Sequence, residues 1–125
     1  MNMLLDTHVW LWLLSDPDRI GSKVRRWLEN PANTVFVSAV SGWEVEVKRA
    51  LGKLRAPSDL LKHVQALRFT ELPLHLRHVE ELSRLPERHR DPFDRMLIAQ
   101  ARADDLSLVT HDKNVLAYPV KTIAV

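Results

Sequence analysis

Short apolar runs that meet a carboxylate, set apart by helix-like stretches, constrain this chain more than any other feature. Met3-Leu4-Leu5 runs straight into Asp6, and Leu106-Ser107-Leu108-Val109-Thr110 is followed closely by Asp112. Compact apolar runs of this kind read as buried strands. Thr34-Val35-Phe36-Val37, β-branched and aromatic, predicts another strand; Arg68 to Leu72 predicts a short extended piece, and Lys121 to Val125 a last edge strand. Helices fill the intervals. One starts at Thr7, capped by Asp6 or Thr7, and is broken by Asp16-Pro17; a second runs from Gly21-Ser22 to about Glu29 and stops at Asn30-Pro31. A third runs from Ser38 or Ser41 to Leu51, closed by Gly52, and a fourth from Pro57-Ser58 to about Leu67. A fifth spans Leu74 to about Leu85 behind Pro73, and a sixth starts at Asp91-Pro92 and ends near Ala103. Strands alternating with helices predict an α/β fold, a sandwich of helices around a mainly parallel central sheet.

Composition narrows the class. A chain of 125 residues, 46% hydrophobic and 27% charged, with 3 glycines, predicts one compact domain spanning 1–125 rather than a disordered segment. The absence of cysteine excludes disulfides and thiolate metal sites and fits a reducing compartment. The apolar run Val9 to Leu14 is too short for a signal or membrane segment, so the expected location is the cytoplasm, away from membranes. Net charge is +2, yet basic residues cluster at Arg19 to Arg26, Lys48 to Arg55 and Arg84 to Arg95. Such clusters can grip a polyanion, and they are equally what solvated helix faces and helix ends carry.

The carboxylates are more specific. In an open parallel sheet, ligands bind beyond the carboxyl ends of the strands. Asp6 and Asp112 follow apolar strands, Glu44 lies one turn into the helix after the second strand, and Asp94 lies in the first turn of the helix feeding Leu106 to Thr110. All four can converge on one edge. Gathered carboxylates repel unless a hard cation neutralises them, and an all-oxygen donor set selects Mg²⁺ or Mn²⁺. Such an ion turns bound water into a nucleophile and balances charge on a scissile phosphate. Each acid also has a purely structural reading: Asp6 caps the first helix, Glu44 pairs with Lys48 at i,i+4, Asp112 belongs to a turn, and Asp91 and Asp94 favour a helix N-terminus.

Leu4-Leu5-Asp6-Thr7-His8, Val37 to Ser41 followed by Trp43-Glu44, His89 to Arg95 with Leu97 to Ala101, and Leu108 to Asp112 together resemble the PIN-domain ribonucleases, and more closely the VapC-type toxins of bacterial toxin-antitoxin pairs. The likeness covers nearly the whole chain in order and spacing. It implies a PIN-like α/β/α sandwich and a metal-dependent endoribonuclease in which Asp6, Glu44, Asp94 and Asp112 surround Mg²⁺ or Mn²⁺. It also implies a cognate antitoxin and a homodimer. Thr7, Thr110 and Asp91 are expected in support, and Arg88, Arg90 and Arg95, which flank the acids, to hold RNA phosphates. Glu46, roughly 200° round the helix from Glu44, points away from the metal. His8 and His111 read as solvated loop residues. Trp27 and Trp43 read as core; Trp10 and Trp12 cannot share one core, so one of them is expected to face a partner chain or the antitoxin.

Three functions therefore compete: a ribonuclease toxin, a PIN-type module that binds RNA or protein without catalysis, and a nuclease directed at DNA through the same acids.

Overall fold

A computed structural model describes residues 1–87 and 91–125. Among them the strands are β1 (Asn2–Leu5), β2 (Thr34–Ser38), β3 (Thr70–Leu72), β4 (Ser107–Thr110) and β5 (Thr122–Ala124). The helices are α1 (Thr7–Ser15), α2 (Ser22–Glu29), α3 (Ala39–Ala50), α4 (Leu60–Ala66), α5 (Leu76–Glu81), α6 (Pro92–Ala103) and α7 (Lys113–Leu116), with 3-10 turns at Pro17–Arg19 and Leu82–Arg84. The strands form one sheet in the order β3-β2-β1-β4-β5, and every pairing is parallel. This is the expected α/β sandwich, and its central sheet is wholly parallel among the described residues.

The two-residue alternation along each strand divides the interior into two layers. Met3, Leu5, Val35, Val37 and Val109 face one side, where Val9 and Trp10 of α1, Val24 and Leu28 of α2, Val45 of α3 and Val64 of α4 cover them. Leu4, Phe36 and Leu108 face the other, under Leu97, Ile98 and Ala101 of α6, with Val115 and Tyr118. Both faces are covered, as a parallel sheet requires.

Sheet order sets the place of the site. From β1 the chain moves outward through β2 to β3, then returns on α6 to enter β4 on the opposite side of β1. The crossovers part company at β1/β4, and a crevice forms there beyond the carboxyl ends of the strands.

Local chemistry explains most boundaries. The hydroxyl of Ser38 accepts from the Val40 amide at 2.9 Å and starts α3. Gly52, at φ +70°, ends it, with the Lys53 amide donating back to the Lys48 carbonyl at 2.9 Å. Asp91 caps α6 by accepting from the amides of Phe93 at 2.8 Å and Asp94 at 3.3 Å, and Pro92 takes the first helical position.

Several expectations need correction. The fourth helix starts at Leu60 rather than Ser58, because Asp59 adopts a left-handed φ of 56°. The fifth starts at Leu76 rather than Leu74: Gln100 Nε2 holds the Pro73 carbonyl at 3.2 Å and His78 Nδ1 holds the His75 amide at 3.0 Å, which pins that segment outside the helix. Asp112 does not sit in a plain turn, since it caps α7 through the Asn114 amide at 2.8 Å.

Trp43 is not core. It is 58% exposed, because the buried stripe of α3 runs through Val40, Ser41, Glu44 and Val45, and Trp43 lies roughly 130° from its centre. Its ring instead meets Phe93 edge-on, with centroids 4.8 Å apart. Trp10 is buried, whereas Trp12 lies partly exposed beneath the Arg19 guanidinium and beside His111. No helix among the described residues is long and apolar enough to cross a membrane.

Candidate acidic metal centre

Asp6 extends the line of β1, and its amide donates to the Val109 carbonyl of the neighbouring strand at 2.9 Å. It stands at the N-cap position of α1 without a close side-chain capping bond, although His8 in the first turn bears on its charge. Oδ2 instead accepts from Thr110 Oγ1 at 2.6 Å, and Oδ1 is buried with no hydrogen-bond partner. Burial raises the Asp6 pKa above the usual carboxylate range; the Thr110 hydrogen bond opposes the rise, and the Glu44 charge adds to it. Thr110 also accepts from the Asp112 amide at 3.0 Å, so one hydroxyl ties Asp6 to the turn that carries Asp112.

Glu44 is only 2% exposed. Lys48, one turn further along α3, donates to its Oε2 at 2.5 Å, while Oε1 is buried and unpartnered. Asp94 is half-buried in the first turn of α6. Its pKa is pushed up to about 7, first by burial and then by the charges of Asp6, Asp91, Glu44 and Asp112. That four other carboxylates bear on Asp94 is the signature of convergence: residues from four separate segments reach one end of the sheet. Asp91, Asp94, Arg95 and Asp112 line a small cavity of about 70 Å³ at this edge.

The donor set suits a hard divalent cation. It is all oxygen, and two buried carboxylate oxygens, Asp6 Oδ1 and Glu44 Oε1, have no partner within the protein. As the side chains stand, no three His, Asp or Glu groups among the described residues are arranged to hold an ion. One oxygen of Glu44 is held by Lys48 instead.

The supporting residues divide. Thr110 touches Asp6 and Asp91 caps α6, whereas the Thr7 hydroxyl donates to Ser41 at 2.9 Å and ties α1 to α3 without touching a carboxylate. The Arg95 guanidinium donates to the Pro86 carbonyl at 2.9 Å and to Tyr118 Oη at 3.4 Å. Arg88 and Arg90 lie outside the described residues. Glu46 faces away, paired with Arg49 at 2.6 Å. His111 Nδ1 lies 2.9 Å from the carbonyl of Val125, just beyond β5, so this ring engages that residue rather than the acids.

A buried polar chain behind the centre escaped the sequence reading. Ser38 Oγ donates to Gln100 Oε1 at 2.5 Å; Gln100 Nε2 lies 3.3 Å from His78 Nδ1, and His78 Nε2 lies 2.9 Å from Asp104. Nδ1 accepts from the His75 amide, so the ring hydrogen sits on Nε2 and is donated to Asp104. The only signal available was a glutamine and a histidine at apolar positions of their helices. A roomier concavity, about 700 Å³, lies between Leu13, Arg25, Leu28, Asn33 and Phe69, at the amino ends of β2 and β3. Size and chemistry are thus at opposite ends of the strands.

The fold and its edge define a class: a doubly covered parallel α/β sheet with an acidic crevice at its switch point. The sequence profile of the PIN domain matches residues 3–121, and the chain belongs to the PIN-domain family. Among solved structures it is similar to VapBC2 from Rickettsia felis bound to a DNA fragment from their promoter, at 15% identity and a TM-score of 0.75, covering 99% of this chain and 98% of that one. It is similar to DNA-bound VapBC from Salmonella typhimurium at 17% identity and a TM-score of 0.72, with coverage of 99% and 98%. It is also similar to FitAcB from Neisseria gonorrhoeae, at 20% identity and 0.66, with coverage of 98% and 96%. No curated protein sequence matches the chain.

Proposed function

We propose that the chain is a metal-dependent endoribonuclease and the toxin of a type II toxin-antitoxin pair, acting as a single domain over 1–125. The observation that carries this reading is the convergence of Asp6, Glu44 and Asp94, with two buried carboxylate oxygens left unpartnered. Asp6, Glu44 and Asp94 would hold Mg²⁺ or Mn²⁺, with Asp112 at the rim. The bound ion supplies an activated water and offsets charge on the scissile phosphate.

The chain's own residues prepare that chemistry. Thr110 fixes one oxygen of Asp6 and leaves the other available. Asp91 and Pro92 determine where α6 begins, and so which way Asp94 points. Arg95 borders the cavity of Asp94 and Asp112, and we assign it, with Arg88 and Arg90, to the RNA phosphates. The similarity to the solved VapBC and FitAcB structures supports a cognate antitoxin as partner. A homodimer and a cytoplasmic location complete the proposal.

The test is RNA cleavage with Mg²⁺ or Mn²⁺ by the wild type and by Asp94→Asn. We expect the variant to lose about 100-fold or more in rate. Unchanged activity in the variant, or none in the wild type, overturns the enzyme reading. The bond between Lys48 and Glu44 favours one rival, a PIN-type binding module that uses its acids structurally. Tight RNA binding with no cleavage would select that module, and preferential cut of single-stranded DNA over RNA would select a DNA-directed nuclease.

A further inference from the structure

Glu44 is almost wholly buried, and a carboxylate in that position is expensive to keep ionised without a partner. One cation answers it. The Lys48 Nζ lies 2.5 Å from Glu44 Oε2 and 4.0 Å from Asp91 Oδ2. The same ammonium stands 6.0 Å from the centroid of the Phe93 ring, at the start of α6. The next residue, Arg49, serves elsewhere, bonded to Glu46 and to the carbonyls of Ala56 and Pro57. Of the two basic residues closing α3, therefore, one ties down a loop and the other reaches across to the acids on α6.

We propose that Lys48 is the resident counter-cation of the acidic centre, a positioning residue that holds the buried Glu44 carboxylate in place and competes with a divalent ion for it. The inference rests on the metal-dependent reading above and deepens it. Three features support it. Lysine carries a compact charge on a flexible four-carbon stem, able to withdraw toward solvent where the fork of an arginine would be harder to disengage. Lys48 is 29% exposed, so such a path exists. The other buried oxygen of Glu44 has no partner, so Lys48 answers only one side of the carboxylate. A divalent ion entering among Asp6, Glu44 and Asp94 meets a positive charge already on one of its ligands, which must swing away or share that ligand.

The test uses the full chain, stripped with EDTA, as wild type, Lys48→Met and Lys48→Arg. Calorimetric titration with Mn²⁺ is read together with melting temperature in EDTA. Lys48→Met should melt several degrees lower without metal and bind Mn²⁺ about tenfold more tightly, because one repelling charge is gone. Lys48→Arg should keep the melting temperature near wild type and bind Mn²⁺ no more tightly than wild type, because its fork is harder to disengage from Glu44. Equal or weaker Mn²⁺ binding by Lys48→Met, whatever its melting temperature, overturns the competition. Should that variant fail to fold, Lys48→Gln is titrated in its place under the same criterion. If the wild type takes up no Mn²⁺ at all, the metal-dependent reading fails by itself, and melting alone decides the counter-cation role. A drop in Lys48→Met that Lys48→Arg does not show then sustains it, and no drop removes it.

Discussion

Asp94 is the residue whose protonation the fold displaces most plainly. Its pKa of about 7 lies above the ordinary 3.8, so between these values the folded protein binds more protons than the unfolded chain. The stability contributed by this group is full below 3.8 and lost as pH rises through about 7. In EDTA the wild type should therefore melt at progressively lower temperature from about pH 5 to about pH 8, and Asp94→Asn should show a shallower decline. Parallel slopes would remove Asp94 from the set of strained carboxylates. Metal uptake needs the ionised group, so Mn²⁺ affinity should rise over the same interval.

At the scale of elements, the centre depends on how α3 and α6 are set against each other, because one carries Glu44 and the other Asp94. The caps at Ser38 and Asp91 fix where each helix begins, and the chain from Ser38 through Gln100 and His78 to Asp104 joins the two across the interior. Gln100→Leu would strand the Ser38 hydroxyl and the Pro73 carbonyl inside the protein. We expect a loss of roughly 1–3 kcal/mol by urea unfolding, the usual cost of unsatisfied buried polar groups. A change near zero would show that the chain is incidental to stability. The helix starts were readable from Ser38, Asp91 and Pro92 because caps are local chemistry. The late start of α5 was not, since it is fixed by Gln100, reaching the Pro73 carbonyl from α6, and by the ring of His78 folding back onto the His75 amide.

Across the whole molecule, the tryptophans report how the two layers are divided. Trp10, 1% exposed, fills the layer over Met3 and Leu5, while Trp43 stands outside on Phe93. Trp10→Ala should cost about 3–5 kcal/mol, against about 0.5 kcal/mol for Trp43→Ala, measured by denaturant unfolding. Comparable losses would return Trp43 to the core. Composition alone places both among large apolar residues on helices; only the facing of α3 separates them.

The sequence by itself determined the alternation of strands and helices, the acids that follow β1 and β4, and the helix starts around the crevice. Strand runs, caps and helix breakers act within a few residues and are written locally. Tertiary structure decided which of these groups meet. The order β3-β2-β1-β4-β5 brings Asp6, Glu44 and Asp94 to one end of the sheet, sets Lys48 between Glu44 and Asp91, and turns Trp43 outward. No periodicity encodes that order, because it arises from burying both faces of the sheet at once.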